Sequence, residues 1–186
     1  MKPALLPFAV LLCLAAAGCG GGGSDFSGDA KVPDGYKTYE NAGASFAYPP
    51  DWQVEDAPSE DGGQVVQITP PDKTDTPYGL IRFSRTPKAG DRFKSLADQR
   101  RLVIRDVNDG KIDSDEEVDI PGAKQALRAT ATTPPGQGSD PVEVKADSLD
   151  VLRENDDVMV LTVASPERKG QSFEPAEIVD TFRLED

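Results

Sequence analysis

The chain has 186 residues, no histidine, and 33 acidic against 20 basic side chains, a formal net charge of −13. Without histidine the commonest general base, the Ser-His and Cys-His nucleophile pairs and the usual zinc ligand are all missing. The acidic balance repels nucleic acid and anionic headgroups alike, so neither is an expected contact of the folded body.

From the N-terminus, Lys2, the apolar run Ala4 to Ala17 and the pair Gly18-Cys19 stand in the order of a signal peptide's charged region, apolar region and small-residue cleavage site. As a helix the run reaches roughly 21 Å, short of the roughly 30 Å hydrocarbon core, which favours a cleaved signal over a permanent span. The segment Leu14-Ala15-Ala16-Ala17-Gly18-Cys19 resembles the bacterial lipobox, in which a small residue precedes a cysteine that receives diacylglycerol; Ala16 stands where leucine is commonest. That resemblance implies a signal peptide over 1–18, lipidation at Cys19 and a place on the outer side of the cytoplasmic membrane. Cys13 falls inside the removed segment, so Cys19 has no partner for an internal disulfide and the fold must rest on a hydrophobic core. Cleavage removes only Lys2 among the charges, leaving 19 basic against 33 acidic residues, or −14. Attachment is therefore expected through acyl chains and not through charge.

Residues 19–35 are rich in Gly, Ser and Asp, with Gly20 to Gly23 in a row, and have the composition of a flexible tether. Such a coil spans roughly 23 Å. Residues 36–186 are expected to form one domain of ordinary size, burying about two-thirds of its unfolded surface.

The domain opens with a predicted hairpin, Tyr36 to Glu40 and Ala44 to Tyr48, turning on Asn41-Ala42-Gly43. Pro49-Pro50-Asp51 ends it and leads to Trp52 and Val54. Strands are predicted at Gln64 to Thr69 and at Gly79 to Arg85, where Ile81 and Phe83 share a face. Between Asp91 and Val107 the period becomes helical, with Phe93, Leu96, Ala97, Val103, Ile104 and Val107 on one stripe. Strands resume at Glu117 to Ile120 and Ala123 to Thr132, and a loop follows at Pro134-Pro135-Gly136. Val142, Val144 and Ala146 alternate, and the phase shifts by one at Leu149 and Val151, as a bulge would cause. Val158 to Ala164 is apolar on both faces, which predicts a central strand covered on both sides. Pro175 to Phe182 reads as a short helix after Ser172, with Ile178, Val179 and Phe182 turned inward. The sum is an α+β domain: an antiparallel sheet of about six to eight strands with two or three helices packed on it.

Gly43-Ala44-Ser45-Phe46-Ala47-Tyr48-Pro49 with Trp52 beyond it, the mid-chain helix, the central apolar strand and the closing Ile178-Val179-Asp180-Thr181-Phe182 together resemble the Mog1/PsbP-like fold. Small actinobacterial lipoproteins carry that domain behind a lipobox. The family includes an extrinsic subunit of a photosynthetic complex and an adaptor for a small GTPase. The resemblance thus implies docking without catalysis and conveys no catalytic residues.

Two charged segments are candidate sites. The first, Asp106 to Glu116, resembles a calcium loop: Asp109, Gly110, Asp113 and Glu116 fit its second half, while Asp106 and Asn108 stand one residue out of register. The other reading of the segment is an acidic helix-to-strand loop turning on Asn108-Asp109-Gly110. The second is basic: Arg92, Lys94, Arg100, Arg101 and Arg105 lie on or near the predicted helix, facing an acidic partner or headgroup, or merely solvent. Asp98 is spaced to pair with Arg101. Trp52 and Phe46 could line a groove but read more naturally as core. Glu116 and Glu117 are adjacent, hence on opposite faces of a strand, and cannot flank one bond. No nucleophile, Walker or zinc motif is present in the sequence. The expected function is that of a lipid-anchored, exported, non-enzymatic binding or accessory module docking an envelope component; the alternatives are a small carboxylate hydrolase and a weak calcium-binding lipoprotein.

Overall fold

The computed structural model describes residues 31–59, 62–71, 79–107, 109–135, 142–168 and 173–185. Its first element is the expected hairpin: β1 (Lys37–Asn41) and β2 (Ala44–Tyr48) pair antiparallel, with Tyr39 opposite Phe46. Ala42 and Gly43 both have positive φ, 56° and 78°, as a two-residue turn matched to strand twist requires. A Cβ at 43 would also displace the Arg153 guanidinium, which lies over the turn.

β3 (Gln53–Pro58), β4 (Gln64–Thr69), β5 (Leu80–Thr86), β6 (Lys111–Val118), β7 (Ala123–Thr133), β8 (Val144–Arg153) and β9 (Val158–Pro166) form a seven-stranded sheet. Its order is β3-β4-β5-β9-β8-β7-β6, with every neighbouring pair antiparallel. The last strand, β10 (Arg183–Leu184), pairs with β2 and makes a second sheet, β1-β2-β10. The fold is thus mostly antiparallel sheet with few helices. The expectation of one sheet with six to eight strands fits the larger sheet in strand number, but the predicted hairpin lies outside it and joins β10, a two-residue strand that shows no period, in the smaller.

β9 occupies the middle of the large sheet, as its apolar run predicts. Met159, Leu161 and Val163 are buried on one face, and the register carries Ile81, Phe83, Leu149 and Val151 onto that same face. This face packs against the small sheet and α2 (Pro175–Val179), through Phe46, Ile178, Val179 and Phe182. Arg128 crosses the same layer. Its Nε donates to Asp147 Oδ1 at 3.0 Å and its Nη1 to Asp180 Oδ1 at 2.9 Å, which ties β7 and β8 to the end of α2. Burial pushes the Asp147 carboxyl above its ordinary value in spite of that guanidinium.

The structure corrects three local expectations. The predicted helix over 91–107 is a 3-10 turn (Gly90–Arg92), an α-helix, α1 (Phe93–Leu102), and a π-helical segment (Val103–Val107). The widened turn leaves Leu102 and Val103 exposed, against the stripe that placed Val103 inside. The acidic loop is short, because β6 starts at Lys111 and not near Glu117. β8 also carries no bulge at Leu149: its pairing with β7 and β9 runs unbroken from Val144 to Leu152. The phase shift arises because Val144 and Ala146 are apolar toward one face of the sheet, and Leu149 and Val151 toward the other. Asp147 takes a buried place beside Arg128 that the alternation reserves for an apolar residue.

Candidate functional site

The second face of the large sheet is built from the even-numbered residues of β8 and β9 and their register partners. At one end it is closed by Ala89 and Phe93, packed with Leu152 and Val158. Beyond Phe93 the strands present small side chains in two adjacent rows, Ala129–Ser148–Thr162 and Ala131–Ala146–Ala164. α1 and the π segment cross above these rows, with Ala97 and Ile104 among the residues that line the space between. A helix and a sheet held apart over a floor of alanines leave unfilled space, and here it amounts to a cavity of about 320 Å³ with an overwhelmingly apolar lining. Interiors seldom leave voids larger than a water molecule, and small-molecule sites start at about 300 Å³.

Ion pairs hold the roof. Arg100 Nη2 pairs with Asp150 Oδ1 on β8, a carboxylate 5% exposed. Arg101 turns the other way, its Nη2 lying 2.6 Å from Asp115 Oδ1 on β6 and its Nη1 3.5 Å from Asp98. Burial, and next the charge of Arg101, push the Arg100 guanidinium down to about 10, so it remains charged at neutral pH. At the far end the Gly110 N–H donates to the Ile104 carbonyl at 2.8 Å. A Cβ at Gly110 would stand 2.9 Å from that carbonyl oxygen, which is why glycine ends this segment. The lead-in to α1 is tied by Asp157, which accepts from Arg85 Nε at 2.9 Å and from the Lys88 backbone N–H at 3.1 Å.

Most polar groups of the cavity gather at one end. Asp150 and Arg100 stand beside the row that holds Ser148 and Thr162, whose hydroxyls are 3.1 Å apart. The other end, toward Val144 and Ile104, is apolar but for Thr133, the register partner of Val144, and the exposed Val103 marks the rim. Asp150 is the single carboxylate among the lining residues, so the cavity does not hold the facing pair that glycoside hydrolysis uses.

The two candidate segments take different places from those their spacing suggests. Asp106 is exposed on the π segment, and Asp109 turns the chain at φ 50°, as the helix-to-strand reading expects. Asp113 and Glu116 lie on β6, where about 10 Å of strand rise separates them. Asp113 accepts from Lys111 Nζ at 2.9 Å and from Thr132 Oγ1 at 2.7 Å, bonds that hold its carboxyl below the ordinary value. Asn108 lies outside the described residues. Among the described residues, no three of His, Cys, Asp and Glu stand close enough to hold a metal ion. The basic residues do not form one patch: Arg92, Lys94 and Arg105 are exposed, whereas Arg100 and Arg101 are drawn into the roof. The Asp98–Arg101 pair forms as its spacing predicts, but the shorter bond goes to Asp115.

Cys19 lies outside the described residues, as do 1–18 and the tether up to residue 30. Among the described residues no helix is long and apolar enough to cross a membrane. Phe46 is core, 1% exposed, and Trp52 stacks edge-on against Phe173 at 5.4 Å, so neither aromatic lines the cavity.

No family model matches the chain, and no curated protein matches it. A solved structure from Bacteroides thetaiotaomicron VPI-5482 is similar over 82% of this chain and 49% of its own length, at 16% identity and a TM-score of 0.48. The chain therefore spans about half the length of that structure.

Proposed function

We propose that this protein is a lipid-anchored, exported and non-enzymatic binding module of the Mog1/PsbP-like kind, and that its ligand occupies the cavity between α1 and the large sheet. The observation that carries the reading is the alanine floor beneath a helix pinned by two ion pairs: space is kept open where large side chains would close it. An apolar lining with a few convergent polar groups is the usual make-up of a small-molecule site. The lone, paired carboxylate argues against hydrolysis there. Export and anchoring rest on the signal-peptide order and the lipobox-like segment ending at Cys19.

The neutral fluorophore N-phenylnaphthylamine tests the cavity. It should bind the unsubstituted protein with enhanced emission, and Ala131→Phe, which fills the floor, should abolish that binding while leaving the circular dichroism spectrum unchanged. Equal binding by both would overturn the reading. Anchoring is tested apart from it: Cys19→Ser should release the domain from membranes or block its processing, and a variant that stays membrane-bound at unchanged size would contradict the anchor.

A further inference from the structure

The charges around the cavity point to the chemistry of its occupant, an inference that rests on the cavity being a binding site. Three charged side chains line it: Arg100, Arg101 and Asp150. Each already has an opposite charge beside it, Asp150 for Arg100, and Asp115 and Asp98 for Arg101. An ionic head entering this space would meet no uncompensated partner, and burying an unpaired charge carries a large penalty. An anion would in addition face a carboxylate 5% exposed and a protein with a net charge of −13.

The balance is one of charge and not of hydrogen bonds. Nε of Arg100 and Nε of Arg101 are both buried without a hydrogen-bond partner. The Ser148 and Thr162 hydroxyls bond each other and keep further capacity to donate and accept. The Arg100 donor in want of an acceptor, at the end that holds two hydroxyls and in a charge-balanced setting, fits an oxygen that carries no net charge: a hydroxyl, ether or ester. At the opposite end, Ala131, Ala146, Ala164, Val144 and Ile104 offer carbon, and Thr133 beside Val144 brings a single hydroxyl. Val103, exposed at the rim, would let an alkyl chain pass between solvent and floor.

We infer that the cavity takes a single-chain amphiphile with an uncharged, oxygen-bearing head, its head beside Ser148, Thr162 and the Arg100–Asp150 pair and its alkyl chain along the alanine row. Acylglycerols and long-chain alcohols belong to this class; fatty acids and alkylamines do not.

The test is displacement of bound N-phenylnaphthylamine from the full-length Cys19→Ser chain, purified without detergent, by monodecanoylglycerol, decanoate and decylamine. The glycerol ester should displace the probe at a concentration about tenfold below that of either ion, reflecting the cost of burying a charge without a partner. Asp150→Asn unbalances Arg100 and should move the preference toward decanoate. Ser148→Ala, which keeps the ion pair, should weaken the glycerol ester alone and serves where Asp150→Asn does not fold. Displacement by decanoate or decylamine at equal or lower concentration overturns the inference while leaving the cavity reading intact. Failure of the probe itself to bind overturns both.

Discussion

The two faces of the large sheet were built by opposite rules from the same strands. On one, Phe83, Leu149, Leu161 and Met159 interlock with Phe46, Ile178 and Phe182 and exclude solvent. On the other, one residue along, the strands offer alanine, serine and threonine to a helix that two arginines hold in place. The first face accounts for why the chain folds. The second leaves space that a stability-driven design would have filled, and proteins keep such costs chiefly where function requires them.

The largest expected effect lies on the closed face. Phe83→Ala removes a fully buried ring and should cost about 3–5 kcal/mol in urea denaturation, since a packed layer relaxes poorly around a void. A cost below that of a surface substitution would erase the contrast between the faces.

The next effect concerns the tie that carries the chain onto the open face. Burial raises the Asp157 carboxyl, but the bonds from Arg85, the Lys88 N–H and Asn155 outweigh it and hold the group below its ordinary value. A depressed carboxyl stabilises fully above its unfolded value near 4 and loses that contribution as the pH falls through the folded one. Asp157→Asn should therefore cost about 1–3 kcal/mol at neutral pH and flatten the loss of stability in acid, read from urea midpoints across pH. An unchanged acid slope would remove Asp157 from this role.

The smallest effect has the opposite sign. Ala146→Leu places four-carbon bulk on the floor and should raise stability by about 0.5–2 kcal/mol while abolishing probe binding. A variant that loses stability would show that the roof cannot accept a filled floor. One that gains stability and still binds would locate the ligand elsewhere.

Much of the closed face is legible in one dimension. Ile81 and Phe83, Ile178 and Val179, and Met159, Leu161 and Val163 announce their burial, because a large apolar side chain at a regular period has few other places to go. The hairpin turn at Ala42-Gly43 is legible for the same local reason. The open face is far less so. Ala129, Ala131, Ala146 and Ala164 come from three strands, and alanine at alternate positions marks weak strand, not absence of volume. The signal would be the coincidence of small residues at register partners, which exists only once β7, β8 and β9 are aligned.

The charged segments show the same division. Arg100 and Arg101 read as one basic face, yet α1 sends one guanidinium to β8 and the other to β6, since neighbours on a helix diverge by about 100°. Asp106 to Glu116 has the composition of a metal loop, but pairing with β7, irregular only at Asp113, draws its second half out along the sheet. The sequence by itself determined the period of each strand, the hairpin, the large apolar core and the acidic character of the chain, because these depend on residues near one another along the backbone. Only the tertiary structure decided the second sheet, the buried pairing of Asp150 with Arg100 and the cavity above the alanines, because each joins residues dozens of positions apart whose meeting depends on how the strands are ordered.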